Sequence, residues 1–184
     1  MDKSLLMMGL AVAALGAAAC TNDNQADGNS SQTPAAQKAA GDKTIAGGLA
    51  ADSRFVGIAR AAGLDQTLAG PGPYTVLVPT DAAFAKAPAG SLDPKPENRA
   101  RLTGVLTNMI LPGTVLAADI GKAIDNGKGK AVLATMGGGT VTATREGGNI
   151  VLTDAAGNKA VVTKADEQFS NGVVHHVDAV LMPS

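Results

Sequence analysis

The chain has 184 residues, a formal net charge of −1 and a single cysteine. A near-neutral charge gives no electrostatic reason to expect nucleic acid or an anionic membrane surface as a partner. The lone cysteine excludes an internal disulfide, and three Phe, one Tyr and no Trp leave few rings for stacking on bases or sugars.

The N-terminal sequence indicates export. An apolar run from Leu5 to Ala19 stops at Cys20. The run is shorter than the ~20 residues of a transmembrane helix but suits a signal peptide, so we expect residues 1–19 to be removed. Cys20 then stands where a bacterial lipoprotein carries its lipid-modified cysteine, which predicts membrane attachment through an N-terminal lipid. Such signals usually have Leu three positions before the cysteine, where this chain has Ala17; a secreted protein with a free N-terminal thiol is the alternative.

The segment that follows has the composition of a tether. Residues 21–43 contain no aliphatic side chain larger than Ala, so they bury too little surface to offset the entropy of ordering them. We therefore predict a lipidated, disordered tether over residues 20–43. Residues 44–184 are one domain's worth of chain, without an internal repeat.

The domain begins with a helix whose two ends are marked. Ser53 can cap its N-terminus, and Gly63 followed by Leu64 is typical of a left-handed stop. The apolar face of this helix carries Phe55, Val56, Ala59 and Ala62.

A strand is predicted next, from Tyr74 to Val78. Pro79 ends its pairing because proline has no N–H to donate. Thr80 is placed to cap a short helix in which Asp81 lies in the favourable first turn. Phe84 is expected to point back into the core.

The longest predicted helix starts at Pro96 and is ended by Pro112 and Gly113. Its apolar residues have the i, i+3, i+4, i+7 spacing of one buried stripe, and they are Leu102, Val105, Leu106 and Met109. A second short helix is predicted over residues 117–124.

After Gly127, apolar and polar residues alternate with a period of two, which predicts strands. The Gly147–Gly148 turn indicates a hairpin, a further strand covers residues 159–164, and a turn at residues 171–172 precedes the closing strand. Helices first and an antiparallel sheet afterwards predict an α+β domain.

Two motifs identify the family that this domain resembles. They are T-V-L-V-P-T-D-A-A-F, from Thr75 to Phe84, and N-G-V-V-H-H-V-D-A-V-L-M-P, from Asn171 to Pro183. In this order and at this separation they resemble the two sequence blocks of a fasciclin domain, and the resemblance covers residues 44–184. It implies a wedge-shaped antiparallel β sandwich with helices packed on it. We interpret the motif residues as scaffold: Thr75, Pro79, Thr80, Asp81, Phe84, Asn171, Gly172, His175, Asp178 and Pro183.

The second motif contains the only histidines, His175 and His176. Successive strand side chains leave opposite faces, so the two rings cannot converge on one ion without a bulge, and we predict no metal site. His175 shares a face with valines and is expected to be a buried structural histidine, whereas His176 shares a face with Asp178, which allows an exposed pair. Asn171 and Gly172 are residue types that suit a turn with positive φ.

Patterns for catalysis are absent from the sequence. The Gly-rich stretch over residues 121–129 lacks the spacing and the Ser or Thr of a phosphate loop, and neither G-x-S-x-G nor H-E-x-x-H occurs. We therefore predict no cofactor and no enzymatic activity. The scattered carboxylates leave an unrecognised carboxylate-pair enzyme as a distant alternative.

The resemblance implies a binding or adhesion module, and Cys20 after the signal peptide predicts that this module is anchored to a membrane of the cell envelope. Its protein or matrix ligand is not identified by the sequence. Animal adhesion members of the family carry a Tyr-His pair where this chain has Asn108 and Met109, so their receptor contacts are not carried over. The alternative is an envelope stability or stress protein in the periplasm that holds a protein partner. Thr21 after the cysteine favours the outer membrane, with the periplasmic or the outer face left open.

Overall fold

The computed structural model describes residues 42–183, so the predicted signal peptide, Cys20 and nearly all of the tether lie outside the described residues. The helices are α1 (Ile45–Gly48), α2 (Arg54–Ala62), α3 (Asp65–Ala69), α4 (Asp81–Ala85), α5 (Arg99–Asn108, preceded by a 3₁₀ turn at Pro96–Asn98) and α6 (Ala117–Asn126). The strands are β1 (Tyr74–Pro79), β2 (Ile110–Pro112), β3 (Lys130–Ala134), β4 (Thr140–Glu146), β5 (Asn149–Thr153), β6 (Lys159–Phe169) and β7 (Gly172–Val177).

Local signals set the ends of several helices. The Ser53 side chain accepts from the Val56 N–H at the start of α2, and Gly63, with φ of 77°, ends it. Thr80 caps α4 by accepting from the Ala83 N–H. Within the described residues, no helix is long and apolar enough to cross a membrane.

The strands form one seven-stranded sheet in the order β2-β1-β7-β6-β5-β4-β3. The α+β class is confirmed, but the sheet is mixed and not wholly antiparallel as the resemblance implies, because β1 and β7 run parallel from Tyr74↔Gly172 to Pro79↔Val177. Parallel neighbours need a long crossover, and here most of the domain lies between the two strands. The two motifs are therefore adjacent in space although they are far apart in sequence.

Strand β6 lets the sheet fold over on itself. Its first residues pair with β5 and its later residues pair with β7, with irregularities between Val162 and Lys164 and between Lys164 and Glu167. Bulges of this kind bend a strand and increase its twist. The two edges of the sheet then meet, because the Met136 N–H donates to the Ile110 carbonyl oxygen at 2.8 Å.

The core lies between this folded sheet and the helices. The predicted stripe of α5 is buried through Leu102, Val105 and Leu106, and Met109 just beyond the helix is fully buried. The largest fully buried side chains on the other elements include Phe55, Ile58, Leu77, Ile120, Ile124 and Leu152. One contiguous apolar cluster therefore supports both motifs.

Candidate functional site: the anchored loop

The first motif places a buried hydroxyl beneath the loop that joins β2 to α6. Thr75 lies on β1 between β2 and β7 and has no exposed surface. Its Oγ1 donates to the Gly113 carbonyl oxygen at 2.8 Å and accepts from the Val115 N–H at 2.8 Å. Both hydrogen-bonding capacities of the hydroxyl are thereby used inside the protein.

The second motif reaches the same loop through His175, which is fully buried on the face that the strand alternation predicts. Its Nε2 lies 2.8 Å from the Val115 carbonyl oxygen, and its Nδ1 accepts from the Asp166 N–H at 3.1 Å. These partners require a neutral ring with the proton on Nε2. Burial is the main cause that lowers the pKa of His175, while the bond to Val115 and the Asp166 carboxylate, 3.9 Å from Nδ1, act in the opposite direction.

Asp166 supplies the third attachment of the loop. It lies in the irregular part of β6, has φ of 59° and accepts from the Ala117 N–H at 2.8 Å. Ala117 is the first residue of α6, where a carboxylate is favoured by the free N–H groups of the helix terminus. Residues 113–117, here called the anchored loop, are thus held by three side chains from three different strands.

The anchored loop nevertheless presents side chains to solvent. Thr114 is exposed, as is the preceding Pro112, and Val115 and Leu116 are half-buried. A loop with a fixed backbone and partly exposed apolar side chains can bind a partner at little cost in ordering. The three anchoring side chains bind only backbone N–H and carbonyl groups of the loop. The side chains of the loop therefore remain available to contact a partner.

The predicted turn is present at residues 170–171, but a positive φ is found only at Gly172, where it is 155°, and not at Asn171. The buried side chain of Asn171 links three segments. Oδ1 accepts from the Ile45 N–H at 2.8 Å, and Nδ2 donates to the carbonyl oxygens of Leu68 and Gly70 at 2.9 Å each. The neighbouring Gly172 is required by close packing, since a Cβ there would overlap the backbone of Tyr74.

The end of the first motif joins two helices. The Asp81 carboxylate, in the first turn of α4, accepts from the Arg54 N–H at the start of α2 at 3.3 Å. Phe84 is buried, and the Arg54 guanidinium lies 5.9 Å from the centroid of its ring. Pro79 ends β1 directly before the capping Thr80. These residues position the elements that they join.

Asn108 and Met109, at the positions of the Tyr-His pair, are both buried. Asn108 Oδ1 accepts from the Thr135 hydroxyl at 3.2 Å, and the Met109 carbonyl oxygen accepts from the Leu77 N–H at 2.9 Å. Both residues therefore face other parts of the same domain.

The predicted His176–Asp178 pair does not form. His176 Nε2 lies 2.6 Å from the Glu167 carboxylate, and Asp178 accepts from the Val161 N–H at 2.7 Å. The hydrogen bond from His176 is the main cause that lowers the pKa of Glu167, with burial opposing it and Lys164 adding to it. Within residues 42–183 no group of three or more His, Cys, Asp or Glu side chains could hold a metal ion.

Asp166 and Glu167 are the functional residues that the sequence analysis missed. Both follow Lys164 in a polar run, A-D-E-Q from Ala165 to Gln168, that breaks the period of two. Such a break is the sequence signal of a bulge. It does not show which side chains the bulge turns inward.

Comparisons with known proteins agree with this geometry. The Fasciclin domain family model matches residues 51–183. Protein sll1483 of Synechocystis sp. is 33% identical over 142 residues, covering 76% of this chain and 71% of its own. Immunogenic protein MPB70 of Mycobacterium bovis is 30% identical over 112 residues, covering 61% of this chain and 51% of its own.

Among solved structures, a FAS1 domain pair from the insect cell adhesion molecule Fasciclin I superposes with a TM-score of 0.63. The identity is 19%, and the match covers 76% of this chain and 51% of that one. The chain therefore spans about half the length of that protein, and the likeness is one of fold.

Proposed function

The chain belongs to the fasciclin domain family, and from that premise we propose that it is a membrane-anchored binding or adhesion module of the cell envelope without catalytic activity. A structural neighbour is a cell adhesion molecule, which supports the adhesive role. The observation that carries the proposal is the convergence of both motifs on the anchored loop. Thr75 and His175 together engage both the N–H and the carbonyl of Val115.

The anchored loop is the proposed contact surface. Thr75 and His175 already make hydrogen bonds inside the protein. A ligand must therefore be recognised by exposed residues such as Thr114 and the neighbouring Pro112. The fixed backbone favours binding because little conformational freedom remains to be lost. The proposed partner is a protein or matrix surface, since the loop offers an exposed Thr114 beside the half-buried Val115 and Leu116.

Anchoring through a lipidated Cys20, on the outer membrane, is part of the proposal. Residues 20–43 would hold the domain roughly 25 Å from the lipid on random-coil scaling. Protease treatment of intact cells distinguishes the faces of the membrane: cleavage of the domain before permeabilisation places it on the outside. Cleavage only after permeabilisation places it in the periplasm.

The contact surface is tested with a strain that lacks the protein and is complemented by variants. Thr114→Arg should reduce attachment of cells to the level of the deletion strain, at unchanged amount and thermal stability of the protein. Thr140→Arg, at another exposed threonine, on β4, is the matched control and should attach like the wild type. If Thr114→Arg attaches normally, or if the deletion has no attachment defect, the proposed surface is wrong.

The second candidate is an envelope stability or stress protein in the periplasm. The extensive internal bonding of the motifs is equally consistent with a holding role for a protein partner. This candidate predicts that the deletion strain attaches normally but loses viability under detergent or chelator stress. The two readouts can therefore be scored in the same set of strains.

A further inference from the structure

We propose that the domain also binds a small amphiphilic carboxylate, in a cleft separate from the anchored loop and independent of its function. The cleft has a volume of about 510 Å³ and lies among the end of α4, helix α5, the β5–β6 turn and the C-terminal segment after β7. Ligand pockets typically have volumes of about 300–1,000 Å³. The size therefore suits a molecule of the kind proposed.

The floor of the cleft is apolar. It includes Ala83, Val105 and Val180, which are buried members of the core, together with the half-buried Met182. An apolar floor continuous with the core favours a hydrocarbon chain, because binding removes apolar surface of both partners from water.

The rim of the cleft is cationic, and this feature selects the head group of the ligand. Lys86, Arg101 and Lys159 line it, without any Asp or Glu among the lining residues. Lys159 is paired with Glu146 at 2.7 Å, whereas Lys86 Nζ contacts the uncharged carbonyl oxygen of Asp178 at 3.1 Å. Arg101 has no ion pair within residues 42–183.

Among residues 42–183, Lys86 and Arg101 are thus left without an ion pair to a carboxylate at the rim of an apolar cleft. A carboxylate matches a guanidinium because the two can form paired, charge-assisted hydrogen bonds. Nucleotides and sugars fit less well, because no aromatic side chain lines the cleft for stacking. The cationic rim and the apolar floor together indicate a ligand with an anionic head group on a short hydrocarbon chain.

The test uses the full chain with Cys20→Ser, which cannot be lipidated and is purified without detergent, and decanoate below its micelle concentration as the probe. Methyl signals of methionine report the place of binding, since Met182 lines the cleft and the exposed Met136 does not. Decanoate should shift the Met182 signal in a saturable way and leave Met136 unchanged. Decylamine, with the same chain length and opposite charge, should not shift Met182.

Arg101→Gln should weaken decanoate binding about tenfold, the size expected from loss of one charge-assisted bond. Arg60→Gln, an exposed arginine on α2 that does not line the cleft, is the matched control and should bind like the wild type. Equal affinities of the two variants would overturn the proposal. So would equal shifts with decanoate and decylamine, or saturation without a shift of Met182, and these comparisons need no variant.

Discussion

His175 is the residue on which the anchored loop depends most. His175→Ala removes the partners of the Val115 carbonyl and the Asp166 N–H and leaves a void. We expect a loss of about 1–3 kcal/mol from the stranded groups, with a cavity contribution added. Chemical unfolding monitored by circular dichroism measures it.

His176→Ala is the control from the neighbouring position. His176 is half-buried and paired with Glu167, and a partly exposed pair contributes about 0–1 kcal/mol. We therefore expect a loss of less than about 1 kcal/mol. Equal, negligible losses in both variants would refute the structural role of His175, and lost partner binding at unchanged stability would make it a ligand-contacting residue.

The same residue predicts a dependence of stability on pH. Because burial lowers the pKa of folded His175 below its unfolded value of about 6.5, the unfolded chain takes up the proton first as the pH falls. The stabilisation is complete above about pH 6.5 and decreases below it until the lowered pKa is reached. The lowered pKa of Glu167 stabilises the fold in a separate pH range. This stabilisation is present above the ordinary pKa of about 4.3 and is lost as the pH falls below it.

Thermal unfolding between pH 8 and pH 5 tests this dependence. The Tm of the wild type and of His176→Asn should fall below pH 6.5, because His175 takes up a proton in the unfolded chain that the buried ring does not take up. The His175→Asn variant lacks that titrating group, so its Tm should change less over the same range. Parallel pH profiles for the wild type and His175→Asn would contradict the assignment.

The burial of His175 could be predicted from the sequence, whereas its partners could not. Alternation along a strand assigns faces from neighbouring residues alone. The partners Val115 and Asp166 lie 60 and 9 positions away, and contacts at such separations depend on the register of the whole sheet. Asp178 was predicted as the possible partner of His176, and Glu167 was missed for the same reason, because the register of β6 shifts between Lys164 and Glu167.

At the scale of elements, predictability followed local signals. The ends of α2 and α4 were predicted from Ser53, Gly63 and Thr80, because each cap is formed within a few residues. Strand β2 was missed because three residues after a helical stripe carry no period of their own. The parallel pairing of β1 with β7 has no local signal at all.

Helix α1 is the element whose stability depends most on a residue far away in sequence. It has four residues, too few to be stable alone, and the Asn171 side chain fixes it to α3 through Ile45, Leu68 and Gly70. Asn171→Ala leaves these buried groups unpaired, which should cost at least about 2 kcal/mol. Hydrogen exchange of the Gly48 and Leu49 amides should also be faster in this variant.

Asn126→Ala, at the exposed C-terminal end of α6, is the matched control and should leave both stability and exchange nearly unchanged. Unaltered exchange in α1 of Asn171→Ala would show that other contacts hold the helix. Rapid exchange over the whole domain would instead indicate that Asn171 supports the global fold and not this element in particular.

At the scale of the whole molecule, the family specifies a scaffold and leaves the ligand open. Thr75, Asn171 and His175 are buried, and their polar atoms bind the protein's own backbone. Recognition must therefore come from exposed positions, which the motifs do not determine. This separation explains how the family could be identified from two short segments while the partner could not.

The proposed attachment to the membrane also belongs to the scale of the whole molecule, and the proposal depends on Cys20, which lies outside the described residues. One acyl chain gives only marginal binding, so stable attachment requires the several chains of a bacterial lipoprotein. Cys20→Ser should move the protein from the membrane fraction to the soluble fraction, and mass spectrometry of the wild-type N-terminus should show the added lipid. Ala17→Leu, which restores the usual residue three positions before the cysteine, is the control and should remain membrane-bound. A soluble wild type with an unmodified thiol would contradict lipid anchoring and favour the secreted alternative.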